Sequence, residues 1–287
     1  MSSSKRIVEL AALLTAAADQ YYNDPTKATM SDAKFDALKD ELEGLDPAHP
    51  FLSQVGASVA STGWAKVTHG RAMGSLLKVP NPNGFKVLGD WAKAAGYRSG
   101  EILLVGDKMD GFSANVIFRN GVFVQAVTRG DGTVGDDITR NAKLMDFPKR
   151  LPGNWSGSIR CEGIIKLDAF LREFPGEKNP RTSASGTARR QTDPAACKYI
   201  TMVGFDVIPD VGDMPSKSAE LTQLQAWGFD VPKWQVISSL DDAEVIYQRY
   251  QKTIRKGLNY WIDGLVISFD DTARRTSLPL RNNRPLG

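Results

Sequence analysis

The chain has 287 residues, of which 41% are hydrophobic and 24% charged, with a formal net charge of +3. That length holds a sizeable core and room for two domains, the composition is that of an ordinary soluble globular protein, and the mild positive charge permits a nucleic-acid partner without requiring one. Two cysteines, Cys161 and Cys197, are too few for a four-cysteine zinc site or a disulfide scaffold, so a reducing cytoplasmic compartment is expected, and no apolar run reaches membrane-spanning length.

The start, Met1-Ser2-Ser3-Ser4-Lys5-Arg6, lacks a signal-peptide pattern. Ser4 is placed to cap a first helix whose apolar positions Ile7, Leu10, Ala11 and Leu14 share a face, and Asn23-Asp24-Pro25 breaks it. Ser31-Asp32 starts a second helix with Phe35, Leu38, Leu42 and Leu45 as its buried stripe, ended by Asp46-Pro47-Ala48-His49-Pro50. Together with the Ser-, Ala- and Gly-rich connection over 51–66 they form an expected helical module, 1–66, followed by a second domain, 67–287.

In that second domain Ile102-Leu103-Leu104-Val105 reads as a buried strand. Phe112–Phe118 and Val122–Thr128 alternate in polarity and are joined through Arg119-Asn120-Gly121, a strong hairpin signal. Arg129-Gly130-Asp131-Gly132 then turns the chain. Further strands are expected at Ser158–Ile165, Thr201–Ile208 and Tyr260–Phe269, and helices from Ser216 to Gly228 and from Asp241 or Asp242 to Gly257. Asn179–Gln191 is polar and arginine-rich. The expected class is α+β, a helical module before a mixed, mainly antiparallel domain.

The chemistry centres on Val105-Gly106-Asp107-Lys108-Met109-Asp110-Gly111. A lysine after a buried strand, with a carboxylate two residues on and a glycine turn beyond it, presents an amine beside a turn. Desolvation or a neighbouring cation can free such an amine for nucleophilic attack. Lys-x-Asp-Gly alone is a weak signal, and the competing reading is a solvated strand-end cation. The competing readings for Tyr22, Asp32 and Asp36 are helix caps and solvated faces, for Asp110 and Asp131 turn-shaping, and for His49 a structural role.

Taken together, the residues resemble the N-terminal half of NAD-dependent DNA ligases. The first module carries Tyr22, Ser31-Asp32-Ala33-Lys34-Phe35-Asp36, His49-Pro50 and Val55-Gly56. The second carries His69-Gly70-Arg71-Ala72-Met73-Gly74-Ser75-Leu76, then Lys108-Met109-Asp110-Gly111 as nucleotidyltransferase motif I, and Thr128–Gly132 with Gly135–Thr139 after it. Ile159-Arg160-Cys161-Glu162 resembles motif III, Asn179-Pro180-Arg181 with Ser185-Gly186 and Arg189-Arg190-Gln191 the asparagine-proline-arginine signature, and Ile262–Ile267 motif IV.

The resemblance implies a nucleotidyltransferase domain of the DNA ligase type and a helical module that grips the nicotinamide mononucleotide (NMN) half of NAD. It implies that Lys108 attacks the α-phosphate of NAD, releases NMN and carries AMP to the 5′-phosphate at a nick in duplex DNA, in the cytoplasm of a bacterial or phage-infected cell. Asp110 and Asp263 are the implied catalytic carboxylates, Asp263 with Mg²⁺. Tyr22, Asn23, Asp32, Phe35 and Asp36 are implied on the NMN side; Ser75, Leu76 and Val266 at the adenosine; Arg129 and Glu162 at the ribose; and Arg181, Arg189 and Arg190 at DNA phosphates.

The sequence departs from the family at Gly106, usually Glu; at Asn23, usually His; at Phe35, usually Tyr; and at Ser268, usually Lys. With its carboxylate shifted by one, Asp107 should face the other way on the strand. No zinc site is expected in this chain. The remaining ligase domains are expected on a natural continuation or on a partner chain. Two alternatives stand beside this reading: a non-catalytic NAD- or DNA-binding module or split-ligase subunit, and an ATP-using nucleotidyltransferase, against which the helical module speaks.

Overall fold

The computed structural model describes residues 3–23, 30, 32–53, 63–74, 76–79, 84–278, 280–281 and 284–285. In chain order its elements are α1 (Ser3–Asn23), α2 (Asp32–Leu45), α3 (Pro50–Ser53), β1 (Lys66–Thr68), α4 (Gly84–Ala94), β2 (Leu103–Met109), β3 (Phe112–Arg119), β4 (Val122–Thr128), β5 (Val134–Asp136) and α5 (Thr139–Ala142). There follow β6 (Gly157–Ile165), α6 (Leu167–Glu173), α7 (Pro180–Ala188), β7 (Ile200–Pro209), α8 (Lys217–Ala226), β8 (Trp234–Ile237), α9 (Leu240–Lys252), β9 (Ile262–Phe269), α10 (Thr272–Ser277), β10 (Leu280–Arg281) and β11 (Arg284–Pro285). Short 3₁₀ turns run over Pro194–Tyr199 and Ile254–Gly257. The chain divides into two compact units, Met1–Ser75 with Val127–Asp137, and Leu76–Ala126 with Ile138–Gly287.

In the first unit Leu10 and Leu14 of α1 and Leu42 of α2 are fully buried, and Phe51 and Leu52 close the same cluster. Arg6 ties the two helices on their outer side through both oxygens of Glu41, at 2.7 and 2.8 Å. Two local expectations shift. The first helix starts at Ser3, so Ser4 lies inside it rather than before it. Leu45, expected in the buried stripe, is 40% exposed at the last residue of α2, while Leu42 three residues before it is fully buried. The same unit holds the antiparallel pair β1–β5, pinned by Lys66 on Asp136 at 2.6 Å.

The second unit is built on two antiparallel sheets, ordered β8-β2-β9 and β4-β3-β6-β7. Alternation along β2 sorts the side chains. Leu104 joins the cluster that includes Phe112, Phe118 and Ile159 of the larger sheet, while Leu103 and Val105 join Leu88, Ile246 and Phe269 under α4 and α9. The hairpin between β3 and β4 forms as expected: Asn120 and Gly121 have φ of 50° and 73°, the pair of positive values that a two-residue primed turn needs.

Asn179–Gln191, in which no element was expected, contains α7. Asn179 accepts from the Arg181 and Thr182 amides, and Pro180 sits in the first turn. The helix expected from Asp241 or Asp242 is instead capped by Ser239, which accepts from the Asp242 amide at 3.1 Å. Among the described residues no helix is long and apolar enough to cross a membrane.

Candidate active site

Lys108 sits one residue before the end of β2, and the pairing with β9 explains what it meets. Lys108 is paired with Gly264 and Met109 with Ile262, so Asp263 is an extra residue on β9, a β-bulge. In an unbroken ladder Asp263 would stand opposite Met109 and share its face. The bulge turns it toward Lys108 instead, and the Lys108 ammonium donates to Asp263 Oδ2. Both side chains remain accessible, at 37% and 43% exposure, so the amine is held and yet open to a ligand.

The turn after β2 gathers three more of the expected groups. Arg181, from the first turn of α7, donates to Asp110 Oδ1 at 2.9 Å. Glu162 of β6 accepts from the Gly111 amide at 3.1 Å and from Ser113 Oγ at 2.6 Å. Gly111 permits this approach, since a Cβ there would lie 2.3 Å from the Gly163 carbonyl oxygen. Asp110 therefore does more than shape the turn: it anchors a guanidinium beside the lysine.

The charges settle accordingly. Burial pushes the Asp263 carboxyl up, but the hydrogen bond and charge of Lys108, with Arg181 and Lys78 behind them, hold it below the usual aspartate value. Burial pulls the Arg181 guanidinium down, against the attraction of Asp263. Asp263 thus faces cations from three separate segments, Lys108 on β2, Arg181 on α7 and Lys78 before α4, an arrangement suited to a polyanionic phosphate.

Asp107 points to the opposite face, as its shift along the strand implied. It is 4% exposed, and its Oδ2 accepts from the Tyr260 hydroxyl at 2.7 Å. Burial, then the hydrogen bond and charge of Asp107, push both Tyr260 and Tyr250 well above the ordinary tyrosine range. Tyr260 also lines a cavity of about 230 Å³ with Met109, Ile164 and Val203. Gly106 shares the Lys108 face of β2 and is paired with Val266 on one side and Trp234 on the other, while Ser268 is paired with Leu104.

The remaining expected residues lie elsewhere. Arg189 follows α7 as its C-terminal cap and bonds Ser185, and Arg190 is exposed beside it. In the first unit, Phe35 packs tilted on Phe51 with ring centroids 6.4 Å apart. Arg129 is half-buried there, in a turn where Asp131 Oδ1 accepts from the Thr133 and Val134 amides, both at 2.8 Å. His69 Nε2 lies 3.1 and 3.2 Å from the Thr128 and Arg129 carbonyls, to which its N–H donates. Leu76 is 47% exposed in the second unit. Ser75 and the side chains of Tyr22, Asn23, Asp32 and Asp36 fall outside the described residues.

Sequence reasoning missed three participants: Lys78, which acts on Asp263 through its charge; the Tyr260–Asp107 bond; and the Arg140–Asn141 clasp on the end of α7. In that clasp the Arg140 guanidinium donates to the Arg190 and Gln191 carbonyls, and the buried Asn141 amide donates to those of Ala188 and Arg190. Only the Asp107–Lys108 adjacency offered a local cue; the other contacts join segments far apart in the chain.

Comparison with known proteins gives the family of the chain. A family model described as NAD-dependent DNA ligase adenylation domain matches residues 61–285. The DNA ligase of Sorangium cellulosum is 36% identical over 98% of this chain and 44% of its own length, and that of Treponema denticola 35% identical over 94% and 43%. The ATP-dependent DNA ligase of bacteriophage T7, solved with ATP, superposes with a TM-score of 0.36 at 13% identity, covering 63% of this chain and 60% of its own. The chain belongs to the family of NAD-dependent DNA ligase adenylation domains. It spans less than half the length of these two curated relatives.

Proposed function

We propose that this chain activates adenylate for DNA joining. The lone pair of Lys108 Nζ attacks the α-phosphorus of NAD, the bond from that phosphorus to the NMN phosphate breaks, and NMN leaves with the electron pair. Lys108 loses two protons in all: Asp263 is the group placed to take the first from the ammonium, which frees the lone pair, and the second passes to solvent as the phosphoramidate forms. The AMP then passes to the 5′-phosphate at a DNA nick, a step for which the rest of the ligase is needed. The observation that supports this best is the bulge that sets Asp263 against Lys108.

From the family resemblance we assign Glu162 and Arg129 to the ribose, Val266, Ser75 and Leu76 to the adenosine, and Tyr22, Asn23, Asp32, Phe35 and Asp36 to the NMN half. Carboxylates suit the NMN side because nicotinamide in NAD is a cationic pyridinium. Arg181 is the cation best placed for phosphate oxygens, and with Arg189 and Arg190 it also fits a DNA backbone, which positions a duplex without reading its sequence.

Magnesium fits this donor set in one form. Among the described residues no group of three His, Cys, Asp or Glu side chains forms a cage, whereas Mg²⁺ commonly takes one or two carboxylates together with substrate phosphates. Asp263 would hold it, and the ion would neutralise charge on the phosphates. Catalysis here is positioning and charge stabilisation.

Intact-mass measurement of the full chain, with NAD and Mg²⁺, tests the assignment. Wild type should gain one AMP from NAD and not from ATP, and Lys108→Ala none. A wild type that stays unmodified, or an adduct that survives Lys108→Ala, would refute it.

A further inference from the structure

We infer that the buried Asp107–Tyr260 hydrogen bond positions the catalytic pair by holding the bulge that turns Asp263 toward Lys108. The inference rests on Lys108 being the nucleophile proposed above. Asp107 precedes Lys108 directly, and Tyr260 precedes Asp263 by three residues, so one bond of 2.7 Å joins the two segments on the face away from the amine. One backbone bond runs beside it, from the Asp110 amide to the Trp261 carbonyl at 3.1 Å, while the Asp107 amide turns to the β8 side and bonds the Lys233 carbonyl at 2.9 Å. The ladder resumes at Lys108 and Gly264. The bulge is thus pinned on both sides.

The alternative to the bulge is a slip of the ladder by one residue. That would seat Asp263 opposite Met109 and move it to the other face, because side chains alternate with a period of two. In the bulged register one backbone bond, from the Asp110 amide to the Trp261 carbonyl, lies beyond the bulge. The Tyr260 hydroxyl also favours that register, since the slip would draw it away from Asp107.

Energetics point the same way. Asp107 is 4% exposed, and its Oδ1 has no hydrogen-bond partner by geometry among the described residues. A buried carboxylate satisfied on one oxygen is a poor stabiliser, and an apolar side chain of similar volume is commonly as stable or more so. Its place in the fold is better explained by the geometry it enforces. The Tyr260 ring packs with Met109, Ile164 and Val203, so Tyr260→Phe keeps the packing and removes only the hydroxyl.

The test is single-turnover AMP transfer from NAD to the full chain with Mg²⁺, followed by intact mass. Wild type, Tyr260→Phe, Asp263→Asn and the double variant are compared, with sampling long enough to read the slowed Asp263→Asn background. Tyr260→Phe should slow the rate at saturating NAD about tenfold, leave the half-saturating NAD concentration within about twofold, and add no further slowing in the Asp263→Asn background. Circular dichroism verifies that each variant is folded. A Tyr260→Phe rate within about twofold of wild type would overturn the inference. So would equal slowing in both backgrounds, which marks a general structural effect. If wild type gains no AMP, the reading of Lys108 fails and this inference falls with it.

Discussion

Lys108 and Asp107 are chain neighbours with opposite surroundings. The first is 37% exposed beside a carboxylate, and the second is buried beside two tyrosines. A strand makes that division with a single peptide bond, since successive side chains leave opposite faces. The buried side has a measurable consequence. Burial and Asp107 raise Tyr260 and Tyr250, so their hydroxyls stay protonated in the folded chain where unfolded tyrosine ionises, near pH 10. For groups raised on folding, the stabilisation is complete below the unfolded value and is lost as pH climbs above it, because only the unfolded chain releases those protons. An absorbance titration of tyrosinate should show a late-ionising class among the seven tyrosines. Asp107→Asn should move that class to lower pH; an unchanged titration would contradict the assignment.

At the scale of elements, legibility followed how local each signal is. The hairpin at Asn120-Gly121 was readable because positive φ at two adjacent positions is a local demand that Asn and Gly meet. α7 went unread because its interior, rich in Ser, Thr and Gly, is a poor helix former. It is held by the cap at Asn179, the burial of Ala184 and Ala188, and the Arg140–Asn141 clasp at its end. Asn-Pro, a capping residue followed by proline at the first helical position, was the cue available in the sequence. Because Asn179 accepts from the Arg181 amide at 2.8 Å, the cap also fixes the backbone that aims Arg181 at Asp110. Asn179→Ala should cost about 1 kcal/mol in denaturant unfolding and should slow AMP transfer as well. A loss of stability with no change in rate would detach the cap from the site.

On the scale of the whole molecule, the two units differ in what each can bury by itself. Among the described residues, α1, α2 and α3 close on a cluster of six buried residues, whereas the clusters on the two sheets of the second unit hold many more, with β6 enclosed between β3 and β7. Local opening should follow that difference. Native-state hydrogen exchange should show the strongest protection in β3, β6 and β7 and weaker protection in α1 and α2. Equal protection in both would mean the small helical core is stabilised by more than its own burial.

The sequence by itself determined the class of chain and the order of its motifs. Those depend on residue type, on spacing along the chain and on turns closed within a few residues. It also determined that Asp107 would face away from the amine, since strand alternation is a local rule. Only the tertiary structure decided which groups meet. Asp263 comes to Lys108 from 155 residues away, and Arg181 to Asp110 from 71, through strand pairing and helix packing that no short window encodes. The bulge decides the rest. A one-residue excess on one strand has no signature in that strand alone, because it exists only as a mismatch of register between two partners.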